Sequence, residues 1–396
     1  MYTGPHLIKD NLVFGYDTGY GVADNNTATR FYPGGPTTNI LSNTADFNNW
    51  TSARNSGSYP TVTANTSANP LGKSYGGMAD KVYIPEDGTY PRLQQYFTPS
   101  STNTHTFSVW IRSLSGDCDC FLGAFRNSPW SLPGYSVKSI TSEWQRFTFS
   151  WTPPDTTTHV IYMGSHDTAA QKGNTLEFWG AQMENNNNST PYTPGSRSST
   201  ESLIDLKKTT NIDVSNVSFD STGQPDLDGT GDYFQSTTSC GITGDITLEA
   251  VFNEDAASAP HTTVICTDTD HQKGVKLMSF KNTNRYGLWL GFGTSSYVAM
   301  VAGTLNNDTK YHLVGTWKQS TGVVKVYLNG VLQQTISTNQ TASVVLNTGR
   351  ISTGVDYHSF SYGLNGQVYV GRVYDKVITD EEVKQNYNAY RKRFGI

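Results

Sequence analysis

Apolar and polar residues alternate with a period of two in many short runs, and turn-forming residues separate the runs. Thr106–Arg112 puts Phe107, Val109 and Ile111 on one face, and Trp144–Trp151 alternates polar with aromatic positions. Thr158–Gly164, Leu176–Glu184, Ile246–Phe252, Tyr286–Phe292 and Tyr311–Trp317 are further runs of strand character, as is Leu12–Asp17 near the start. Alternation of this kind between Gly, Pro and Asn clusters predicts antiparallel sandwiches. Gly322–Leu332 predicts a hairpin, because its Asn329-Gly330 pair supplies the positive φ angles of a tight turn. One helix is predicted at the end of the chain. Thr379-Asp380-Glu381-Glu382 forms a capping box, Val383, Tyr387 and Tyr390 recur at helical spacing, and Arg391-Lys392-Arg393 suits the negative helix C-terminus. The expected fold class is therefore all-β: two antiparallel β-sandwich or jelly-roll domains and one short C-terminal helix.

Two stretches read as boundaries. The first ends in Pro33-Gly34-Gly35-Pro36, and the second runs through Asn185–Asn188, Pro191 and Pro194-Gly195-Ser196. They divide the chain into 1–36, a first strand with its linker; 37–196, one sandwich; and 197–396, a second.

Composition narrows the function classes. The 396 residues are 36% hydrophobic, 12% aromatic and only 15% charged, which disfavours both disorder and long solvated helices. Lys and Arg number 28 against 33 Asp and Glu, a net charge of −5, so neither nucleic-acid binding nor a polybasic membrane patch is expected. No apolar run approaches the roughly 20 residues of a membrane span, so membrane insertion is not expected. Met1–His6 lacks the basic and apolar regions of a secretory signal, and the four cysteines are expected to be free thiols.

Sets of residues carry two resemblances. Asp228-Gly229-Thr230-Gly231-Asp232-Tyr233-Phe234 resembles the strand opening of laminin-G-like, concanavalin-type jelly rolls. It is followed in order by Ile246–Phe252, Tyr311–Trp317, the Val324–Gly330 hairpin, Gly366–Tyr374 and the short helix. That order is similar to the C-terminal half of the family as it occurs in phage virion proteins. The middle segment resembles the carbohydrate-binding-module-like jelly rolls of phage tail and fibre proteins. Its matching pieces are Thr38–Leu41, Phe47–Trp50, Phe107–Arg112, Glu143–Phe147, Phe178–Glu184 and Tyr192–Gly195. Asn11–Asp17 is similar to the first strand of the phage laminin-G-like proteins and Ser202–Leu206 to the segment that soon follows it. The resemblance thus implies that the middle jelly roll is inserted into the C-terminal one, the alternative being that residues 1–36 are a separate docking arm.

The residues offer little catalytic chemistry. The Glu-x-Asp-x-x-Glu strand signature of concanavalin-type glycosidases is absent from Thr247–Asp255, and Glu249 is expected on the sheet surface. No metalloprotease His pair, nucleophile elbow or phosphate loop is present. His166 with Asp167, and Asp268, Asp270 and His271, read as solvated turns rather than metal ligands, so no catalytic residue, metal or cofactor is expected. Sugar binding needs exposed aromatic faces with polar groups beside them. Trp110, Trp144, Phe178 and Trp317 fall in strands and are assigned to packing. The carbohydrate-binding candidates are loop residues: Trp130 and Tyr135 in one segment, and Tyr357, His358 and Tyr362 in another.

The reading that results is a non-enzymatic phage virion protein, assembled in the host cytoplasm: a fibre, a head decoration or a tail-associated adhesin. Its expected partners are copies of itself, with a trimer favoured, other virion proteins and a host surface polysaccharide bound weakly and multivalently. The alternatives are a polysaccharide-degrading enzyme and a purely structural virion protein.

Overall fold

The computed structural model describes residues 6–18, 35–72, 77–219, 224–242, 244–255, 261–267, 273–280, 285–303, 305–341, 349–356 and 362–396. The architecture is all-β, with multiple antiparallel sheets and one α-helix at the C-terminus. The described residues form two compact units: one takes in 6–18, 35 and 198–396, the other 36–197. Cys118, Cys120, Cys240 and Cys266 are free thiols.

The first unit is a sandwich of two sheets. One contains, among its described strands, Asn365–Tyr374 between Leu12–Asp17 and Ile246–Glu254, followed by Lys310–Lys318, Val323–Leu328 and Val331–Ser337. Leu12–Asp17 runs antiparallel to Asn365–Tyr374, with Tyr16 opposite Gly371. A Cβ on Gly371 would stand 2.7 Å from the Tyr16 ring, so glycine here makes room for the ring. Tyr16 then reaches across the core to meet Phe234 of the second sheet edge-on, with centroids 5.4 Å apart. In Ile246–Glu254 every residue is buried. Ile246, Leu248, Ala250 and Phe252 enter the sandwich core, whereas Val251 on the other parity lies under the helix, packed with Tyr390 and Phe394. The hairpin turn is as expected, with φ of 48° at Asn329 and 75° at Gly330.

The helix Asp380–Phe394 starts at Thr379, whose hydroxyl accepts from Glu382 N at 3.2 Å while the Glu382 carboxylate accepts from Thr379 N at 2.8 Å. It stops at Gly395 in the left-handed region. Because it covers the sheet, the expectation for Glu249 is corrected. Glu249 lies on the strand face away from the sandwich core, but the helix buries it completely. It accepts from His312 Nε2 at 2.8 Å, Tyr374 Oη at 2.9 Å and Asn386 Nδ2 at 3.1 Å.

The second unit packs two five-stranded sheets face to face. In one the order is Gln145–Trp151, His105–Ser113, Asn174–Glu184, Met78–Ile84 and Thr61–Ala68; in the other it is Thr51–Ala53, Arg92–Phe97, His159–Gly164, Cys118–Arg126 and Ser131–Ile140. Phe107, Val109, Ile111 and Phe178 from the first meet Leu93, Leu122, Ala124, Ile161 and Met163 from the second. Phe178 and Trp317 are fully buried and Trp110 is 8% exposed, in accord with their assignment to packing.

Candidate functional site

In the second unit, the sheet that ends in Ser131–Ile140 is apolar on both faces. Side chains alternate across a strand, so Leu122 and Ala124 point into the sandwich and Phe121, Gly123 and Phe125 point outward. The register puts the outward positions in rows. Arg92 stands opposite Gly164, which stands opposite Phe121 and then Val137. Gln94, Tyr162, Gly123 and Tyr135 form the next row, and Tyr96, Val160 and Phe125 the third. The glycine of the middle row is dictated by its neighbours: a Cβ on Gly123 would lie 2.4 Å from Phe121 Cε1 and 2.9 Å from Phe125 Cε2.

The rings that flank these glycines stack into a ladder. Phe121 is parallel to Tyr162 at 5.0 Å, Tyr162 to Phe125 at 4.3 Å, and Phe125 to Trp130 at 4.8 Å. At the Phe121 end, Tyr135 stacks at 5.4 Å and His166 at 4.7 Å. Phe121, Phe125 and Tyr162 are buried, but Trp130 and Tyr135 keep 59% and 60% of their surface exposed. Each of these two rings rests on a buried ring and presents the rest of its surface to solvent. Tyr96, 53% exposed, and the carboxamide of Gln94, which donates to the Tyr96 hydroxyl at 3.3 Å, lie on the same sheet, with His159–Gly164 and Cys118–Arg126 between their strand and that of Tyr135. Arg92 lies 5.3 Å from the centre of the Tyr162 ring. Burial pushes the Tyr162 phenol well above its ordinary value, against the lowering effect of Arg92, and burial lowers the Arg92 guanidinium. The arrangement can stack on a flat apolar ring face and hydrogen-bond the polar rim of that ring.

Of the sequence candidates, Trp130 lies in the turn between two strands, as expected. Tyr135 does not lie in a loop; it is on the edge strand Ser131–Ile140, opposite Gly123. Tyr357 and His358 lie outside the described residues. Tyr362 belongs to the first unit, where it meets His261 edge-on at 5.3 Å. It lines a cavity of about 170 Å³ with His261, Phe280, Trp289, Lys276 and Asp356. Lys276 and Asp356 are paired and nearly buried in its wall, and the Lys276 ammonium sits 4.8 Å from the Trp289 ring centre. The described candidates, Trp130, Tyr135 and Tyr362, therefore fall into two places in two units.

The supporting ladder was not among the candidates. Its signal was in the sequence: Phe121 and Phe125 share one parity of a strand whose other parity, Leu122 and Ala124, is also apolar, and Tyr162 does the same against Ile161 and Met163. A strand apolar on both parities in an antiparallel sandwich marks an outer face that carries something besides solvent. His166, weighed only as a metal ligand, is part of the ladder, and Asp167 pairs with Lys172. Asp268, Asp270 and His271 lie outside the described residues. Among the described residues no cluster of His, Cys, Asp and Glu is arranged to hold a metal ion, and no helix is long and apolar enough to cross a membrane.

The fold defines a lectin-like jelly-roll class of protein. Residues 228–384 match the laminin-G model described as the concanavalin A-like lectin/glucanases superfamily, so the first unit carries a jelly roll of that kind. No curated protein matches the sequence. Among solved structures, the binding domain of botulinum neurotoxin serotype D is similar, at 16% identity and a TM-score of 0.38 over 48% of this chain and 49% of that one. The chain thus spans about half the length of that domain. The CBM40 of the Ruminococcus gnavus IT-sialidase, bound to α2,3 sialyllactose, is 14% identical with a TM-score of 0.32, over 36% of this chain and 82% of that one. Trypanosoma rangeli sialidase, in complex with the inhibitor DANA, is 14% identical with a TM-score of 0.37, over 46% and 30%. At these scores the likeness carries no functional weight.

Proposed function

We propose that this protein binds glycans without turning them over, through the outer sheet face of its second unit. One observation carries the proposal: Trp130 and Tyr135 are more than half exposed yet held in place by stacking on the buried rings Phe125 and Phe121. An exposed ring already fixed in position loses little conformational freedom when a sugar stacks on it. Two such rings, with hydroxyl and carboxamide groups elsewhere on the sheet, suit the pyranose rings of an oligosaccharide, at an affinity on the order of a millimolar dissociation constant per site.

A weak site calls for many copies. Multivalent display raises avidity by roughly two to four orders of magnitude with no new contact, and the protein acts as a homo-oligomer, a trimer in the first instance. The setting is a phage virion, assembled in the host cytoplasm, where the protein serves as a fibre, head decoration or tail-associated adhesin facing a host surface polysaccharide. What supports this setting is the motif order of residues 228–374 and of the middle segment, together with few charges and free cysteines.

A glycan array probed with the whole chain and with a Trp130→Ala/Tyr135→Ala double variant tests the reading. Binding by the parent to a defined glycan set, lost in the variant, with no release of reducing sugar from the bound glycans, is the expected result. A blank array rejects glycan binding in favour of a purely structural role, and released reducing sugar favours a polysaccharide-degrading enzyme. Light scattering checks the oligomer, and imaging of intact particles checks the virion setting.

A further inference from the structure

One residue on the ladder bears on which sugars the face selects. Arg92 projects from Arg92–Phe97 on the outward side, in the row of Gly164 and Phe121. Its Nε donates to Gln94 Oε1 at 3.0 Å, and Nη1 donates to the Tyr90 carbonyl at 2.9 Å and to Asn55 Oδ1 at 3.4 Å. All three acceptors are neutral. Among the described residues no carboxylate lies within 4 Å of the guanidinium, and Nη2 makes no hydrogen bond. Of the carboxylates in the adjoining loops, Asp87 accepts from Ser58 at 2.9 Å, and Asp167 pairs with Lys172. Arg54, which follows the edge strand Thr51–Ala53, lies 4.1 Å from the Tyr59 ring centre and also has no carboxylate within 4 Å among the described residues.

A half-buried cation without a counter-ion is costly, since the water it gives up is not replaced by an opposite charge. Packing alone does not need that charge here, because a neutral side chain of similar length would cover Tyr162 equally well. The guanidinium is fixed by the bonds of Nε and Nη1 to Gln94, Tyr90 and Asn55, and the two N–H groups of Nη2 stay open. A pre-positioned, open Nη2 group on the same face as the exposed rings matches a carboxylate carried by one residue of an oligosaccharide that lies across the sheet.

We infer that the sheet face carrying Trp130 and Tyr135 selects carboxylate-bearing sugars, uronic acids or other sugar acids, and that Arg92 receives the carboxylate. This rests on the glycan-binding reading above and names its ligand class. A hydrogen bond to a charged partner in a partly desolvated place corresponds to about a tenfold preference over the neutral analogue.

The test titrates the whole chain with pairs of oligosaccharides: oligogalacturonate, oligoglucuronate and oligomannuronate, each against its carboxyl-reduced counterpart, and sialyllactose against lactose. The expected result is that at least one acidic member binds about tenfold more tightly than its neutral mate, with a preference that shrinks as salt rises. In Arg92→Gln the ratio falls to about one, and in Arg92→Lys, which keeps the charge and loses the fixed Nη2 group, it is intermediate. Thermal unfolding of each variant establishes that it is folded. Equal affinity for acidic and neutral members, or a preference that survives in folded Arg92→Gln, overturns the inference while leaving glycan binding intact. Absence of binding to every member together with a blank glycan array overturns both.

Discussion

The Phe125 ring lies parallel to that of Tyr162, 4.3 Å away and inclined by 13°, although the two residues stand on neighbouring strands in adjacent rows of the sheet. The contact works because Gly123, opposite Tyr162, has no side chain to occupy the space that the Phe121 and Phe125 rings fill. It joins Trp130 on one side to Phe121 and Tyr135 on the other, so the exposed rings share one buried support.

The supporting and exposed rings should respond differently to truncation. Phe125→Ala removes a buried ring and should cost about 3 kcal/mol of stability, and it should also release Trp130 and weaken glycan binding. Trp130→Ala should change stability by only about 0.5–1 kcal/mol while weakening binding by roughly tenfold. Urea denaturation and a binding titration of both variants separate the two roles; equal loss of stability in the two would show that Trp130 is ordinary packing.

Gly123→Ala should be destabilising out of proportion to its size. Its methyl group meets Phe121 at 2.4 Å and Phe125 at 2.9 Å, so the ladder must spread. Overpacking of this kind costs about 1–3 kcal/mol. Near-ultraviolet circular dichroism should change along with the unfolding midpoint; unchanged aromatic signals and stability would mean that the ladder is loose.

Glu249 links the first unit to pH. Burial raises its pKa, but hydrogen bonding to His312, the charges of His312 and Arg372 and the Tyr374 hydroxyl outweigh burial and hold it below the ordinary glutamate value of 4.5. A carboxylate with a depressed folded pKa contributes stability above its unfolded pKa and loses it as pH falls through the folded value. Glu249→Gln should therefore cost about 2 kcal/mol at pH 7 and less at pH 3. A penalty of equal size at both pH values, read from denaturation curves, would contradict this.

Asp232 has the opposite sign. Burial, joined by the charges of Asp228 and Asp226, raises its pKa to about 6 against the hydrogen bond it accepts from Asp228 N. The folded state holds a proton there that the unfolded state has released, so this group's contribution declines as pH rises from the ordinary aspartate range through about 6. Asp232→Asn keeps the acceptor for Asp228 N and removes the charge. Its melting temperature should exceed the parent's at pH 7.5, with the difference gone at pH 4; a lower melting temperature at pH 7.5 would refute the assignment.

Local signals were fully legible in the sequence: the alternating strands, the Asn329-Gly330 turn and the Thr379–Glu382 capping box that opens the helix. Each depends on neighbours within a few residues. Glu249 was misread because the helix that covers it comes 130 residues later, and alternation alone cannot tell a solvated face from a covered one. The candidates Trp130 and Tyr135 were legible as aromatics in a turn-rich segment. Their support showed only as strands apolar on both parities; that Phe121, Phe125 and Tyr162 meet was not legible, because they do so only through a register linking strands between residues 92 and 164. Arg92 gave no sequence signal at all, since its lack of a counter-ion exists only in three dimensions.

The most direct test of glycan binding at the ladder follows the Trp130 indole Nε1–H resonance of the whole chain by NMR while a glycan positive on the array is titrated in, with the signal assigned by its loss in Trp130→Phe. The account predicts a shift that saturates with a dissociation constant on the order of a millimolar and is absent in Tyr135→Ala/Phe125→Ala. A glycan that binds the chain without moving the Trp130 signal would contradict it and place the sugar elsewhere.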